Sequence, residues 1–136
     1  MSIVKNHVAD GIFATLPRTS RGVPIVLGGC PAGKHKFLYT NGNNVIMRDL
    51  ANPYMDAEII TKHTTQATVA QWSPSGFYIA SADTSGKVII WDTTQKEHIN
   101  KCEYQPISGI IKDIAWDGES KRMAVGGQGK EKYVAI

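Results

Sequence analysis

The chain has 136 residues, of which 42% are hydrophobic and 20% are charged, a balance typical of a folded globular protein and not of a disordered one. Its formal charge of +3 is spread over scattered Lys and Arg residues, whereas a nucleic-acid groove requires a longer basic stripe, so we expect no nucleic-acid partner. Because no apolar run approaches the roughly 20 residues that cross a bilayer, and residues 1–7 lack the apolar core of a secretory signal, we expect a cytoplasmic protein with no membrane partner.

Short apolar or alternating segments follow one another from residue 24 onward, bounded by Gly, Pro, Asn, Asp and Ser. They are rich in β-branched and aromatic residues, which predicts β-strands and an all-β fold class. Asn41-Gly42 and Ser85-Gly86 each lie between two segments, where a tight hairpin needs residues that tolerate positive φ. The predicted strands cover residues 24–27, 37–40, 45–48, 58–61, 68–72, 78–81, 88–91, 99–104, 110–116, 122–125 and 133–136.

Landmarks of these segments recur at a nearly constant distance. The turn at residues 31–33 is followed by a similar turn 43 residues later, Asp49 is followed by Asp92 at the same spacing, and Trp72 is followed by Trp116 after 44 residues. A period of about 40–45 residues with four strands per unit is typical of propeller blades. We therefore predict three units, at residues 22–62, 63–106 and 107–136. Residues 1–21 should form an N-terminal strand or arm that joins a distant part of the complete protein.

The second unit resembles the WD-repeat β-propeller family. It has His63, a Ser-Pro-Ser-Gly turn at residues 73–76, Ser81 and the pair Trp91-Asp92 in the family's order, with the His 28 residues before the Trp. In that family buried His, Ser or Thr, Asp and Trp side chains form a hydrogen-bonded network within a blade. The resemblance assigns His63, Ser81 and Trp91 to this network and places Ser85 where the family has Asp. We therefore expect an incomplete network, because a hydroxyl cannot replace a carboxylate as a charged acceptor.

A longer match extends through the second and third units. Residues 73–81, 91–98 and 111–116, with the entry segment at residues 16–22, look like the actin-interacting protein family of WD-repeat proteins. This resemblance implies two seven-bladed propellers that bind cofilin-decorated actin filaments and promote their disassembly in the cytoplasmic actin cytoskeleton. The family has no catalytic residues and no cofactor, so the resemblance implies a non-enzymatic interaction protein. A WD-repeat scaffold or adaptor for another protein complex is the alternative.

Two patterns suggest small-ligand chemistry but have simpler explanations. Residues 28–34 nearly match a phosphate-binding loop, but His35 replaces the magnesium-binding Ser or Thr, and the sequence after it predicts a strand where the loop needs a helix. We therefore predict a hairpin turn here, equivalent to the one at residues 74–76. The four histidines are separated by 28, 28 and 35 residues, which matches no compact zinc motif. We also expect Cys30 and Cys102 to be free thiols.

The last unit contains a polar loop, with Gln128, Lys130, Glu131 and Lys132 between two predicted strands. Partners dock on exposed loops, so this loop is a candidate contact site. Three units are fewer than the 4–8 blades that close a propeller. We therefore expect the chain to be a truncated piece that needs the rest of the propeller for closure. Expressed alone, it should associate through unpaired strand edges and show little activity.

Overall fold

The computed structural model describes residues 6–10, 13–31, 35–52 and 57–136. Within these ranges the chain forms strands and turns and no helix, which confirms the all-β prediction. The strands in chain order are β1 Gly28–Gly29, β2 Lys36–Asn41, β3 Asn44–Asp49, β4 Glu58–Thr61, β5 Ala67–Trp72, β6 Tyr78–Asp83, β7 Val88–Asp92, β8 Asn100–Tyr104, β9 Ile110–Trp116, β10 Met123–Gln128 and β11 Val134–Ala135.

These strands form three antiparallel sheets, each built from neighbours in the sequence. The first sheet has the order β1-β2-β3-β4, the second β5-β6-β7-β8, and the third β11-β10-β9. Gly42 and Gly86 have φ of 57° and 90° in the turns β2–β3 and β6–β7. These values lie in the left-handed region, which only Gly adopts without strain. Each sheet is therefore an up-and-down meander whose hairpins the turn residues specify.

The sheets pack face to face through two apolar clusters, with the second sheet in the middle. Alternate residues of a strand point to opposite faces, so β5 directs Ala70 toward the first sheet and Val69 toward the third. The cluster between the first and second sheets contains Leu38, Val45, Met47, Ile60, Ala70, Trp72, Ile79, Ile89 and Trp91. The cluster between the second and third sheets contains Val69, Ala80, Ala82, Val88, Ile107, Ile111, Ile114 and Val125.

The strand predicted at residues 24–27 is wrong, because strand structure begins only at Gly28. Pro24 has no N–H to donate to a ladder, and the side chains of Ile25 and Leu27 are 45% and 59% exposed, so little packing holds the segment against β2. At the other end, β11 covers only Val134–Ala135 of the predicted residues 133–136. This end also has exposed apolar side chains, with Tyr133 and Ile136 at 67% and 91% exposure.

The N-terminal arm, defined here as residues 13–19, contains no strand and lies against the first sheet. The hydroxyl of Tyr39 donates to the carbonyl oxygen of Thr15 at 2.6 Å, and the side-chain amide of Asn41 donates to the carbonyl oxygen of Leu16 at 2.5 Å. The arm therefore contacts its own first sheet. Its predicted contact with a distant part of a complete protein stays a prediction, and residues 1–5 and 11–12 lie outside the described ranges.

The sequence that nearly matches a phosphate-binding loop precedes β2. Residues 32–34, which include the Gly and Lys of that pattern, lie outside the described residues. The chain enters strand β2 at Lys36 and then turns at Gly42 into β3. Among the described residues 35–52, no helix follows the pattern to direct its N-terminal N–H groups at a phosphate.

Candidate functional site

Four buried polar side chains meet inside the second sheet. His63 lies in the linker between β4 and β5, Ser81 and Asp83 lie on β6, and Trp91 lies on β7. His63 Nδ1 is 2.8 Å from Asp83 Oδ2, and His63 Nε2 is 2.8 Å from Ser81 Oγ. His63 is 3% exposed and the other three side chains are fully buried. We call these four residues the histidine network.

The hydrogen bonds of the histidine network all run in one direction, from the donor Trp91 through Ser81 and His63 to the acceptor Asp83. The indole N–H of Trp91 donates to Ser81 Oγ at 3.2 Å, so the Ser81 hydroxyl hydrogen is available for His63 Nε2. His63 Nδ1–H then donates to the carboxylate of Asp83. Burial lowers the pKa of His63 and outweighs the hydrogen bond and the charge of Asp83, which raise it. A neutral imidazole protonated on Nδ1 satisfies all four groups.

The second carboxylate oxygen of Asp83 holds the turn between β6 and β7. Oδ1 accepts hydrogen bonds from the backbone N–H and hydroxyl of Ser85, at 2.9 and 2.6 Å, and from the backbone N–H of Lys87 at 3.2 Å. Burial raises the pKa of Asp83, but the hydrogen bonds from Ser85, His63 and Lys87 outweigh it and hold that pKa below its usual value. Asp83 is therefore an ionised acceptor that joins the linker to the turn.

The expectation of an incomplete network was wrong. Asp83, two residues before Ser85, supplies the carboxylate, and Ser85 itself is one of its donors. Ser81 and Asp83 are two apart on one strand and point to the same face, so both reach His63. The two-residue alternation of side chains along a strand could have identified Asp83, whereas the sequence distance to Trp91 could not. Asp92 lies outside the network, and its carboxylate accepts from the N–H and hydroxyl of Thr94 at 2.7 and 2.6 Å.

Ser81, His63 and Asp83 have the hydrogen-bond order of a hydrolase triad. A nucleophile must also reach a substrate, and the Ser81 side chain is completely buried, with its oxygen already accepting from Trp91. None of the three residues lines a described cavity. The arrangement therefore suits a structural connection between the linker and two strands, and it offers no access for acyl transfer.

The candidate contact loop is exposed, in contrast to the buried histidine network. Gln128, Lys130, Glu131 and Lys132 are all exposed, at the end of β10 and in the loop that follows it. The loop is closed by a backbone hydrogen bond from Gly127 N–H to the carbonyl of Tyr133 at 2.9 Å. It thus presents two cations and one carboxylate to solvent from a fixed base.

Other ligand classes find little support in the described part of the chain. There, no three His, Cys, Asp or Glu residues gather closely enough to hold a metal ion. Cys30 and Cys102 are both free thiols and half-buried. No helix long and apolar enough for a membrane span was found among the described residues.

Comparisons with known proteins place the fold in context. No family model matches the chain. It is 59% identical over 125 residues, 92% of its length, to WD repeat-containing protein 1 of Mus musculus. It is 57% identical over 122 residues, 90% of its length, to Actin-interacting protein 1 of Drosophila melanogaster. The chain spans 20% of the length of each of these relatives.

A solved structure agrees with the sequence relatives on the fold. A WD40 propeller in the crystal structure of the mitotic checkpoint complex matches with a TM-score of 0.60 at 21% identity, covering 68% of this chain and 30% of that one. This likeness bears on the fold alone, whereas the identity to the sequence relatives bears on the family. The chain belongs to the WD-repeat proteins, alongside relatives named WD repeat-containing protein 1 and actin-interacting protein 1.

Proposed function

We propose that this chain forms part of a non-enzymatic, actin-binding WD-repeat protein that promotes cofilin-dependent disassembly of actin filaments in the cytoplasm. The observation that carries the proposal is the 57% identity over 122 residues to a protein named Actin-interacting protein 1. Identity at this level extends over 90% of the chain, well beyond the few residues that a generic WD repeat requires. Exposed positions are therefore included in the similarity, and partners contact exposed positions.

The structure supports a role in binding rather than in catalysis. Strand ladders and the histidine network stabilise the second sheet, while the loop after β10 in the third sheet is exposed at residues 130–133. Rigid elements that present exposed loops are the usual arrangement of a protein-interaction surface. We propose the loop of Gln128, Lys130, Glu131 and Lys132 as one actin or cofilin contact, because its mixed charges are exposed on a base that a hydrogen bond closes.

A closed ring requires more blades than the three sheets that the described residues form. We propose that further blades complete it, since blade faces are stabilised only by burial against a neighbour. The wild-type 136-residue chain should then have less filament activity than its much longer relatives.

Co-sedimentation with actin filaments, with and without cofilin, tests the proposed function. We expect the full-length mouse relative, as a positive control, to pellet with filaments more strongly when cofilin is present, and this chain to respond in the same direction but to a smaller extent. The double substitution Lys130→Glu and Lys132→Glu should weaken this binding. A matched control is Lys121→Glu, because the Lys121 side chain is 75% exposed in the turn between β9 and β10, away from the loop.

The outcomes separate the two functional classes. Binding that depends on cofilin supports the actin-regulating function, and loss only in the loop double variant supports the loop as a contact. If neither this chain nor the full-length relative responds to cofilin, a scaffold for another complex is the better explanation. If the chain binds and both sets of variants behave alike, the contact lies elsewhere on the surface.

A further inference from the structure

A small pocket opens where the arm and all three sheets meet. Its volume is about 90 Å³, and its walls come from the arm with the turn and segment that follow it, the end of β2, the start of β5 and the start of β9. One water molecule occupies roughly 30 Å³ in the liquid, so the pocket is large enough for a small polyatomic ion. Four separate chain segments build it, which distinguishes it from a gap inside one loop.

The polar side chains of this pocket are cations and neutral hydroxyl or amide groups, which both donate and accept hydrogen bonds. Among the neutral groups, the side-chain donors of Asn41 and Thr68 are already bound to the carbonyl oxygens of Leu16 and Ala82. Arg18 and Lys112 are the charged residues that line it, and no carboxylate among the described residues does. Neither cation forms a salt bridge with another described residue. Two cations that share a small pocket without a counter-charge produce a local positive potential, which favours an anion.

The neutral lining residues add donors around the same space. Ser20, Thr40 and Gln66 provide two hydroxyls and an amide beside the two cations. A carboxylate has two oxygens to offer, whereas a phosphate group has at least three and therefore uses more of these donors. Arg pairs with phosphate through two parallel hydrogen bonds, and Lys binds it as a point charge. We propose that this pocket binds a phosphate group, with Arg18 and Lys112 as its principal ligands.

The arm brings Arg18 to the pocket. The hydrogen bonds from Tyr39 to Thr15 and from Asn41 to Leu16 fix the arm two to three residues before Arg18. The adjacent turn is closed by the Ser20–Val23 bridge, with φ of 76° at Gly22. Tyr39 is thus a positioning residue, since its hydroxyl contacts the arm and does not line the pocket.

Titration of the whole chain with inorganic phosphate at constant ionic strength tests the site. Amide chemical shifts of the arm and β9 should saturate with phosphate and not with acetate. Because a charge-assisted hydrogen bond is stronger than a neutral one, Arg18→Gln and Lys112→Gln should each weaken binding by about tenfold or more. Arg21→Gln is the matched control, because Arg21 follows the arm in the same turn and does not line the pocket.

Tyr39→Phe separates positioning from direct contact. It removes one neutral hydrogen bond, so phosphate affinity should fall by only about threefold, while the arm amides shift even without phosphate.

Phosphoserine identifies the source of the ligand. Binding at least as tight as that of inorganic phosphate indicates a phosphate carried on another molecule, and weaker binding indicates the free ion. Shifts that do not saturate, equal affinity for acetate, or equal losses in the Arg18, Lys112 and Arg21 variants would overturn the proposal, which does not depend on actin binding.

Discussion

In the second sheet, His63 and Ser81 fill two buried positions, and 44 residues later the third sheet has Ile107 and Val125 at the same places. The correspondence is structural as well as numerical, since Ser81 pairs with Ala70 and Val125 pairs with Ile114 at the same step of the ladder. One sheet therefore holds this region with polar side chains, and the other holds it with apolar packing.

The remaining network positions change together with this pair. Asp83 and Trp91 of the second sheet correspond to Gly127 and Ala135 of the third. A complete set of hydrogen bonds and a fully apolar set can have similar stability, because the large cost arises only when one buried polar partner is left alone. These four positions can therefore be either all hydrogen-bonded polar groups or all apolar groups, whereas a combination of the two should be destabilising. Single substitutions can create such combinations.

Removing the acid of the network should have the largest effect. Asp83→Ala leaves the buried N–H of His63 without an acceptor and removes the acceptor of three donors in the β6–β7 turn. We expect a loss of about 3 kcal/mol in the free energy of unfolding, measured by urea denaturation. Asp92→Ala is the matched control and should cost much less, because the Asp92 carboxylate serves only the exposed Thr94.

A double-substitution cycle shows whether the loss arises from the broken pair. His63→Ala alone should cost about 2 kcal/mol, since it also leaves a buried carboxylate oxygen with one partner fewer. If His63 and Asp83 act as a pair, the double variant loses less than the sum of the two single losses. Additive losses would mean that Asp83 stabilises the turn and not the network.

In the third sheet, a polar side chain can be placed among the apolar residues. Ile107→His places an imidazole where the neighbours are Ile111, Ile114 and Val125, with no acid at position 127. A buried polar group without partners costs about 1–3 kcal/mol in proteins, so we expect a loss of about 2 kcal/mol by the same measurement. Ile107→Val, which keeps the site apolar, should cost about 1 kcal/mol. Equal losses would show that packing alone determines this position.

Stability should depend on pH through the second sheet. The pKa of His63 is lowered from 6.5, so below that pH the unfolded chain takes up a proton that the folded chain does not. The stabilisation is present above pH 6.5 and is lost as the pH falls toward the folded-state pKa. The pKa of Asp83 is lowered from 3.8, so a second loss begins as the pH falls through 3.8.

His63→Gln isolates the first of these losses. The glutamine does not titrate, so the difference in unfolding free energy between the wild type and this variant should shrink as the pH falls below 6.5. Denaturation curves on both sides of pH 6.5 measure it. A difference that stays constant with pH would mean that His63 titrates alike in the folded and unfolded chains. The apolar pair of the third sheet contributes no such dependence.

The sequence could predict the strands and their order better than the network. Short apolar runs bounded by turn residues define β6 and β7 in the sequence, and the 43–44 residue period reveals which strands are equivalent. The acid of the network was assigned to position 85 from its distance to Trp91. Side chains two residues apart on a strand point to the same face, so the position of Ser81 indicates Asp83 instead. The arm contact with Tyr39 could not be predicted, because residues 13–19 have no period that indicates a partner.

The smallest expected effect concerns the far end of the network. Trp91→Phe keeps an aromatic ring in the cluster between the first and second sheets but removes the N–H that donates to Ser81 at 3.2 Å. Ser81 still donates to His63, so only one hydrogen bond and a small volume are lost, and we expect about 1 kcal/mol by urea denaturation. Trp116→Phe should cost less, because the Trp116 N–H reaches the carbonyl of Gln71 only at 3.4 Å and the ring is half-buried. Repeating Trp91→Phe in a Ser81→Ala background separates the hydrogen bond from the lost volume. If the cost is unchanged there, volume explains it, and the histidine network ends at Ser81.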